Sequence, residues 1–209
     1  MPREQIRFNA ETRQISLLVH FTQAANLPDI MQHGLVSVTE AANRRLTPEV
    51  NDVLRLDGHR DGISLSIAFP NYRMFYRYRM ANPQTQWVVL GIEPSILWRN
   101  DCAYCCHNAA DARISTQPLA QLKTPAAFDS MFAEQEELLS RQAQGLNNFD
   151  PTDEQAEVLS FDNIEPQFIS TVIFNNEETR SLYQSIVENR HVLVNRAGSG
   201  YFASRTYER

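Results

Sequence analysis

The chain has 209 residues, 43% hydrophobic and 21% charged, and no apolar run approaches the roughly 18 positions of a membrane span, so one globular domain over 1–209 is expected and fibrous repeats are excluded. Nineteen Lys and Arg oppose 25 Asp and Glu for a net charge of −6, which excludes binding to nucleic acid through overall charge and requires any such binding to be local. Residues 1–10 are mostly polar, without an apolar stretch followed by a cleavage site, so a cytoplasmic protein is expected, with no membrane association.

Ile15 to Phe21 reads as a buried strand, and Asn26 as the cap of a short helix with Leu27, Ile30 and Met31 on one face and Gly34 at its end. Residues 39–61 are polar, lack periodicity and contain Pro48 and Gly58, which predicts a long loop over a site. Ile63 to Phe69 alternates strictly. Ile63, Leu65, Ile67 and Phe69 fall on one face, and Ser64, Ser66 and Ala68 fall on the other, as in a strand. Asn71 to Met80 (NYRMFYRYRM) interleaves aromatics with Arg73, Arg77 and Arg79. It reads either as a base-stacking surface or as an amphipathic helix that buries Tyr72, Phe75 and Tyr76.

Gln86 to Ile92 is a further strand, and Thr124 with Pro125 opens a helix running to about Gln144. Gln155 to Phe161 and Phe168 to Phe174 read as two strands joined by a hairpin or a longer return. A helix from Asn176 to Glu188, with Leu182, Ile186 and Val187 inward, precedes a strand at His191 to Val194. The pattern is α+β.

Charge is unevenly spread. Between Arg44 and Arg79 seven arginines (44, 45, 55, 60, 73, 77, 79) face four acids, whereas Asp129 to Glu157 carries eight acids and only Arg141. The first stretch is the candidate nucleic-acid face, through Arg44, Arg45, Tyr72, Arg73 and Arg77, and it suits single strands because aromatics between arginines can stack splayed bases. Glu157 sits amid apolar neighbours in QAEVLSF, so it either faces solvent or enters a functional cleft. His20 near the end of the first strand is either a core histidine or a hydrogen-bond donor into a cleft. Cys102, Cys105, Cys106 and His107 are too close together for a tetrahedral zinc site and have no second ligand pair, so no metal is expected and a buried or mildly reactive thiol loop is read instead.

Four blocks in order, VHFTQAANLPDIMQHGL at 19–35, RLDGHRDGISLSIAFPNYRMFYRYR at 55–79, DCAYCCHNAA at 101–110 and QAEVLSFDNIEPQFISTVIF at 155–174, resemble the DarT toxins, NAD-dependent ADP-ribosyltransferases of DNA bases. The resemblance implies an ADP-ribosyltransferase fold with a split mixed sheet around an NAD cleft. It assigns Glu157 and Arg55 as catalytic, with Arg45 a rival for the arginine, and His20, Thr22, Asn26, Leu27 and Arg55 to NAD. Ser64 and Ser66 stand where relatives carry an aromatic, which leaves Phe69, Tyr72 or Phe75 to stack on nicotinamide. NAD is thus expected as substrate, single-stranded DNA as acceptor with guanine weakly favoured over thymine, and a macrodomain antitoxin of the DarG type as partner of a monomeric toxin. Transfer to RNA, or single-strand binding without catalysis, are the alternatives.

Overall fold

The computed structural model describes residues 2–51, 56–187, 189–196 and 200–207. In chain order these form α1 (Pro2–Thr12), β1 (Leu18–Gln23), α2 (Leu27–His33), α3 (Val38–Asn43), β2 (Ile63–Ile67), α4 (Tyr72–Ala81), β3 (Trp87–Ile92), α5 (Ile96–Arg99), β4 (Cys102–Cys105), α6 (Ala112–Ser115), α7 (Leu119–Leu122), α8 (Pro125–Ser130), β5 (Glu157–Ser160), β6 (Ile169–Phe174), α9 (Glu177–Tyr183) and β7 (His191–Val194).

The strands make one mixed sheet in the order β4-β5-β2-β1-β3-β6-β7, in which only β6 and β7 run parallel. β3 is buried at every position and pairs with all six residues of β1, so it forms the rigid centre. The main core packs Leu18, Leu65, Leu90, Ile92, Val158, Val172 and Phe174 with Leu27 and Phe128 from the helices.

The sheet splits at one place. β1 and β2 pair only through Leu18 with Ile67 and Val19 with Ser66, and beyond that point the two strands lose their ladder. The freed carbonyl of Ser64 receives a hydrogen bond from the His20 side chain at 2.8 Å, so a histidine takes over from the backbone where the strands part. Gly34, at φ 80°, ends α2 and lies so close to Ile164 that a β-carbon there would stand 2.1 Å from its carbonyl oxygen.

Several expectations are corrected. The polar stretch 39–61 contains most of α3, because Ser37 caps it by accepting from the Glu40 N–H at 3.1 Å. The strand at 63 ends at Ile67, since Ala68 turns to φ 64° and leaves Phe69 off the sheet, stacked on Tyr201. Thr124 does cap a helix, but α8 stops at Ser130, and the acidic segment that follows is a run of turns. Of the two connections expected between β5 and β6, the longer return is the one formed, because β2, β1 and β3 lie between them. Leu182 is exposed, as α9 ends at Tyr183 and the chain then turns to bury Val187. The cysteine segment is a strand, β4, buried on both faces: Cys102 and Tyr104 face the main core, and Ala103 and Cys105 pack with Ile114, Leu122 and Leu159. α1 has no counterpart among the expected elements. It is amphipathic and buries only Ile6 and Ala10, too sparse a stripe to stand out in a polar segment.

Candidate active site

Two cavities meet where the sheet splits. The first is a partly enclosed cleft between β1, β2, α2 and the segment 46–51, with Val19, Ile30, Leu35, Leu46, Val50 and Ile63 among its walls. His20, Thr22 and Asn26 bring polar atoms into it. The second is an open groove lined by Asp57, Arg73, Arg77, Asn108, Asp111 and Gln155. Ser64, Asn71, Met74, Tyr78 and Glu157 line both.

The first residue of β5, Glu157, is only 5% exposed. Its Oε2 accepts the Ala109 N–H at 2.7 Å, and its register partner is Cys105 in β4. This fixes the carboxylate on a rigid strand, aimed at the junction of the cavities. The loop before it is pinned from three sides. Arg205, itself buried, donates to the carbonyls of Pro151 at 2.7 Å and Thr152 at 3.0 Å. Arg141 donates to the Asp150 carbonyl at 2.7 Å, and the buried His107 and Asp153 pair at 2.7 Å. No sequence signal marks Arg205 or Arg141, because their partners are mostly backbone carbonyls, which any residue type can supply.

The histidine has a defined tautomer. A carbonyl can only accept, so His20 Nδ1 carries the proton toward Ser64. Asn26 stands at the cap position of α2 but makes no cap bond. Its amide instead clasps the segment 46–51: Oδ1 accepts from Glu49 N–H at 2.8 Å, and Nδ2 donates to Glu49 O at 3.0 Å and Thr22 Oγ1 at 2.9 Å. Gln23 adds a bond to Asn51 at 3.0 Å. The expected cap is thus a clasp that closes the cleft on one side.

Of the residues proposed for NAD, His20, Thr22 and Asn26 converge on the first cleft. Leu27 and Phe75 do not, and are corrected. Both are fully buried in the core: Leu27 faces the main cluster, and Phe75 stacks on Phe21 at 4.6 Å between ring centres. Phe69 lies against Tyr201 and lines neither cavity. The residues of this region that reach the cleft are Met74 and Tyr78, one helical turn apart on α4. Arg55 lies outside the described residues.

For nucleic acid, Arg73 and Arg77 line the groove as expected, and Arg73 pairs with Glu154 at 2.8 Å. Arg44 is tied to Glu40 at 2.7 Å, Arg45 is exposed at φ 58° just after α3, and neither lines a cavity. Tyr76 is 46% exposed rather than buried and packs against Tyr72 in a tilted ring pair at 5.6 Å, outside both cavities. The thiols are held in the protonated form: burial pushes Cys102 up to about 12 and drives Cys105 higher, and Cys106 is raised too. Among the described residues no group of three His, Cys, Asp or Glu is placed to hold a metal ion, and no helix is long and apolar enough to cross a membrane.

A polar, carboxylate-bearing junction between an enclosed cleft and an arginine-lined groove is what transfer between two bound substrates requires. A protein-family model described as ssDNA thymidine ADP-ribosyltransferase, DarT, matches residues 19–202. The chain belongs to the DarT family. Similar solved structures include Thermosipho africanus DarTG in complex with ADP-ribose, at 16% identity and TM-score 0.62 over 90% of this chain and 51% of that one. Thermus sp. 2.9 DarT in complex with NAD+ aligns at 13% identity and TM-score 0.54 over 87% and 96%, and in complex with ADP-ribosylated ssDNA at 13% and 0.56 over 87% and 95%. The chain therefore spans about half the length of the Thermosipho protein. These likenesses establish the DarT fold, here an α+β domain with a seven-stranded mixed sheet. A search of curated protein sequences gives no match.

Proposed function

We propose that this chain, acting as one domain over 1–209, binds NAD in the enclosed cleft and single-stranded DNA in the arginine-lined groove, and transfers ADP-ribose to a DNA base. The observation that carries this reading is the position of Glu157, which lines both cavities. NAD+ is the ligand named for one structure of Thermus sp. 2.9 DarT, and ADP-ribosylated ssDNA for another structure of the same protein. Thymidine is the base in the family's description and is taken as the first acceptor to test. Guanine, expected from the DCAYCCHNAA block, has weaker support, because Cys102 to Cys105 of that block form a buried strand and only Asn108 and Ala110 of it line the groove.

In the reaction the bond between nicotinamide and ribose C1′ breaks, and its electron pair leaves with nicotinamide. The ribose gathers positive charge, which the Glu157 carboxylate stabilises across a short, water-poor gap. A base nitrogen forms the new bond to C1′ and its proton passes to Glu157. His20 holds one side of the NAD cleft, its Nε2 accepting from a ribose hydroxyl, while Thr22 and the Asn26 clasp shape the floor. Arg73 and Arg77 take the DNA phosphates. Arg55 supplies the cation toward the pyrophosphate in this reading.

Both cavities lie within one chain, so a monomer suffices. The DarTG name and the part of the Thermosipho chain left unmatched support pairing with an antitoxin, expected to be a macrodomain acting on the same mark in the cytoplasm. The deciding experiment incubates the protein with labelled NAD and matched single-stranded DNA and RNA oligonucleotides. Label on DNA alone is expected; label on RNA alone would replace the acceptor, and binding without label would remove the enzyme.

A further inference from the structure

The residue that opens α4 leaves half of its side chain without a partner. Asn71 is 1% exposed, its Oδ1 accepts the Met74 N–H at 3.2 Å as a helix cap, and its own N–H donates to Ser66 Oγ at 3.2 Å. A backbone N–H can only donate, so the cap determines which end of the amide is oxygen and holds Nδ2 opposite. Nδ2 is buried and has no hydrogen-bond partner among the described residues. Capping alone is served equally by Ser or Asp, neither of which buries an unpaired amide donor, so the amide needs another explanation. Asn71 also lines both cavities, as Glu157 does.

We propose that Asn71 Nδ2 holds a carbonyl oxygen of the target base next to the nitrogen that Glu157 deprotonates. This deepens the transferase reading above and rests on it. Glu157 offers an acceptor at the junction and Asn71 a donor, and together they complement a base edge that presents N–H beside C=O. Thymine carries that edge at N3–H with its flanking oxygens, and guanine carries it at N1–H with O6. Cytosine and adenine present a ring nitrogen that only accepts, which would face the carboxylate without a proton between them, and adenine has no carbonyl for Asn71. The pair therefore admits thymine and guanine and rejects the other two, while groups lining the groove choose between the two admitted. The covalent step is unchanged: C1′ exchanges nicotinamide for the base nitrogen, and the nitrogen's proton goes to Glu157.

The test uses Asn71→Asp and Asn71→Ser, each of which keeps a cap acceptor for Met74 and lacks the amide donor, with single-stranded oligonucleotides carrying T, G, A or C as the only variable base. Wild type is expected to label T or G and leave A and C bare. In both variants kcat/KM for the labelled oligonucleotide should fall about 10- to 100-fold, while KM for NAD stays within about twofold. The serine variant removes the objection that a second carboxylate repels the substrate. Undiminished kcat/KM on DNA in both variants overturns the proposal, as does a rise in KM for NAD in place of the DNA effect, or comparable labelling of A or C by wild type. If wild type labels no oligonucleotide, the transferase reading falls and carries the proposal with it, a result read on wild type alone and so distinct from failure of the variants.

Discussion

The two cavities that meet at Glu157 are made from different materials. The enclosed cleft is walled by strands and helices whose apolar side chains also belong to the core, and its polar groups are held by neighbours: His20 by Ser64, Asn26 by Thr22 and Glu49. The open groove is lined by charged and amide side chains from α4 and from the turns at 108–111 and 155, and its Arg73 is 69% exposed even while paired with Glu154. A cleft walled by core side chains suits a substrate of constant shape, such as a dinucleotide. A polar groove with exposed arginines suits a flexible polyanion, whose ion pairs are individually weak and salt-sensitive. If this division is real, damage to one cavity should be separable from damage to the other, and only the shared wall should affect both.

Glu157→Gln strikes that shared wall and should have the largest effect. Its amide oxygen can still accept the Ala109 N–H, so the fold is expected to survive, as read by an unchanged circular dichroism spectrum and melting curve. Transfer should fall by about 100- to 1,000-fold or more, because the charge that stabilises the ribosyl cation is gone. A purified variant with wild-type turnover would end the division into two half-sites joined by a carboxylate.

His20→Ala should weaken the enclosed cleft alone. It removes the group that satisfies the Ser64 carbonyl where β1 and β2 part, together with the ring nitrogen facing the ribose. A drop of about 10- to 100-fold in kcat/KM for NAD, with KM for the oligonucleotide little changed, is the expected outcome. An equal rise in both Michaelis constants would mean that the cavities are mechanically coupled through the split.

Reversing Arg73 and Arg77 to Glu addresses the groove. KM for single-stranded DNA should rise about tenfold at low salt, and the slope of log affinity against log salt should flatten by about 0.7 for each phosphate that is no longer neutralised. KM for NAD should not move. Should NAD binding suffer instead, the assignment of the two substrates to the two cavities would have to be exchanged.

The smallest effect is expected at the cysteines. Burial pushes Cys102 up to about 12 and raises Cys105 and Cys106 as well, so all three stay protonated at pH 8, and Cys102 and Cys105 are shielded besides. Iodoacetamide at that pH should leave Cys102 and Cys105 unmodified by mass spectrometry and transfer unimpaired, with half-buried Cys106 the first to react. Rapid alkylation of Cys105, the register partner of Glu157, coupled to loss of activity would tie the thiol strand to the chemistry.

The sequence by itself carried whatever depends on local periodicity or on blocks of neighbouring residues. The strands at 87–92, 169–174 and 191–194 were legible because β-branched and aromatic runs bury both faces or alternate, and Glu157 stood out as an acid inside such a run. The family blocks brought His20, Thr22 and Asn26 forward together, and these three do line one cleft. What only the tertiary structure decided is who faces whom. Phe69 and Phe75 are aromatic as ligand-stacking residues are, and Leu27 opens the helix beside the cleft, but Ala68 turns the chain away after Ile67, and Phe75 and Leu27 are claimed by the core, where burying a large apolar side chain is worth roughly 1.5–3 kcal/mol. β4 was hidden because four buried residues are too few for periodicity to register, and its cysteines drew a chemical reading instead. Asn26 and Asn71 reverse roles for the same reason. Both stand at helix starts, where local rules prescribe a cap, yet Asn26 reaches the Glu49 backbone far along the chain, whereas Asn71 caps α4 and keeps one buried donor at the junction. A side-chain amide has two ends, and which neighbour each end finds is set by the packing of residues distant in sequence, which no local pattern encodes.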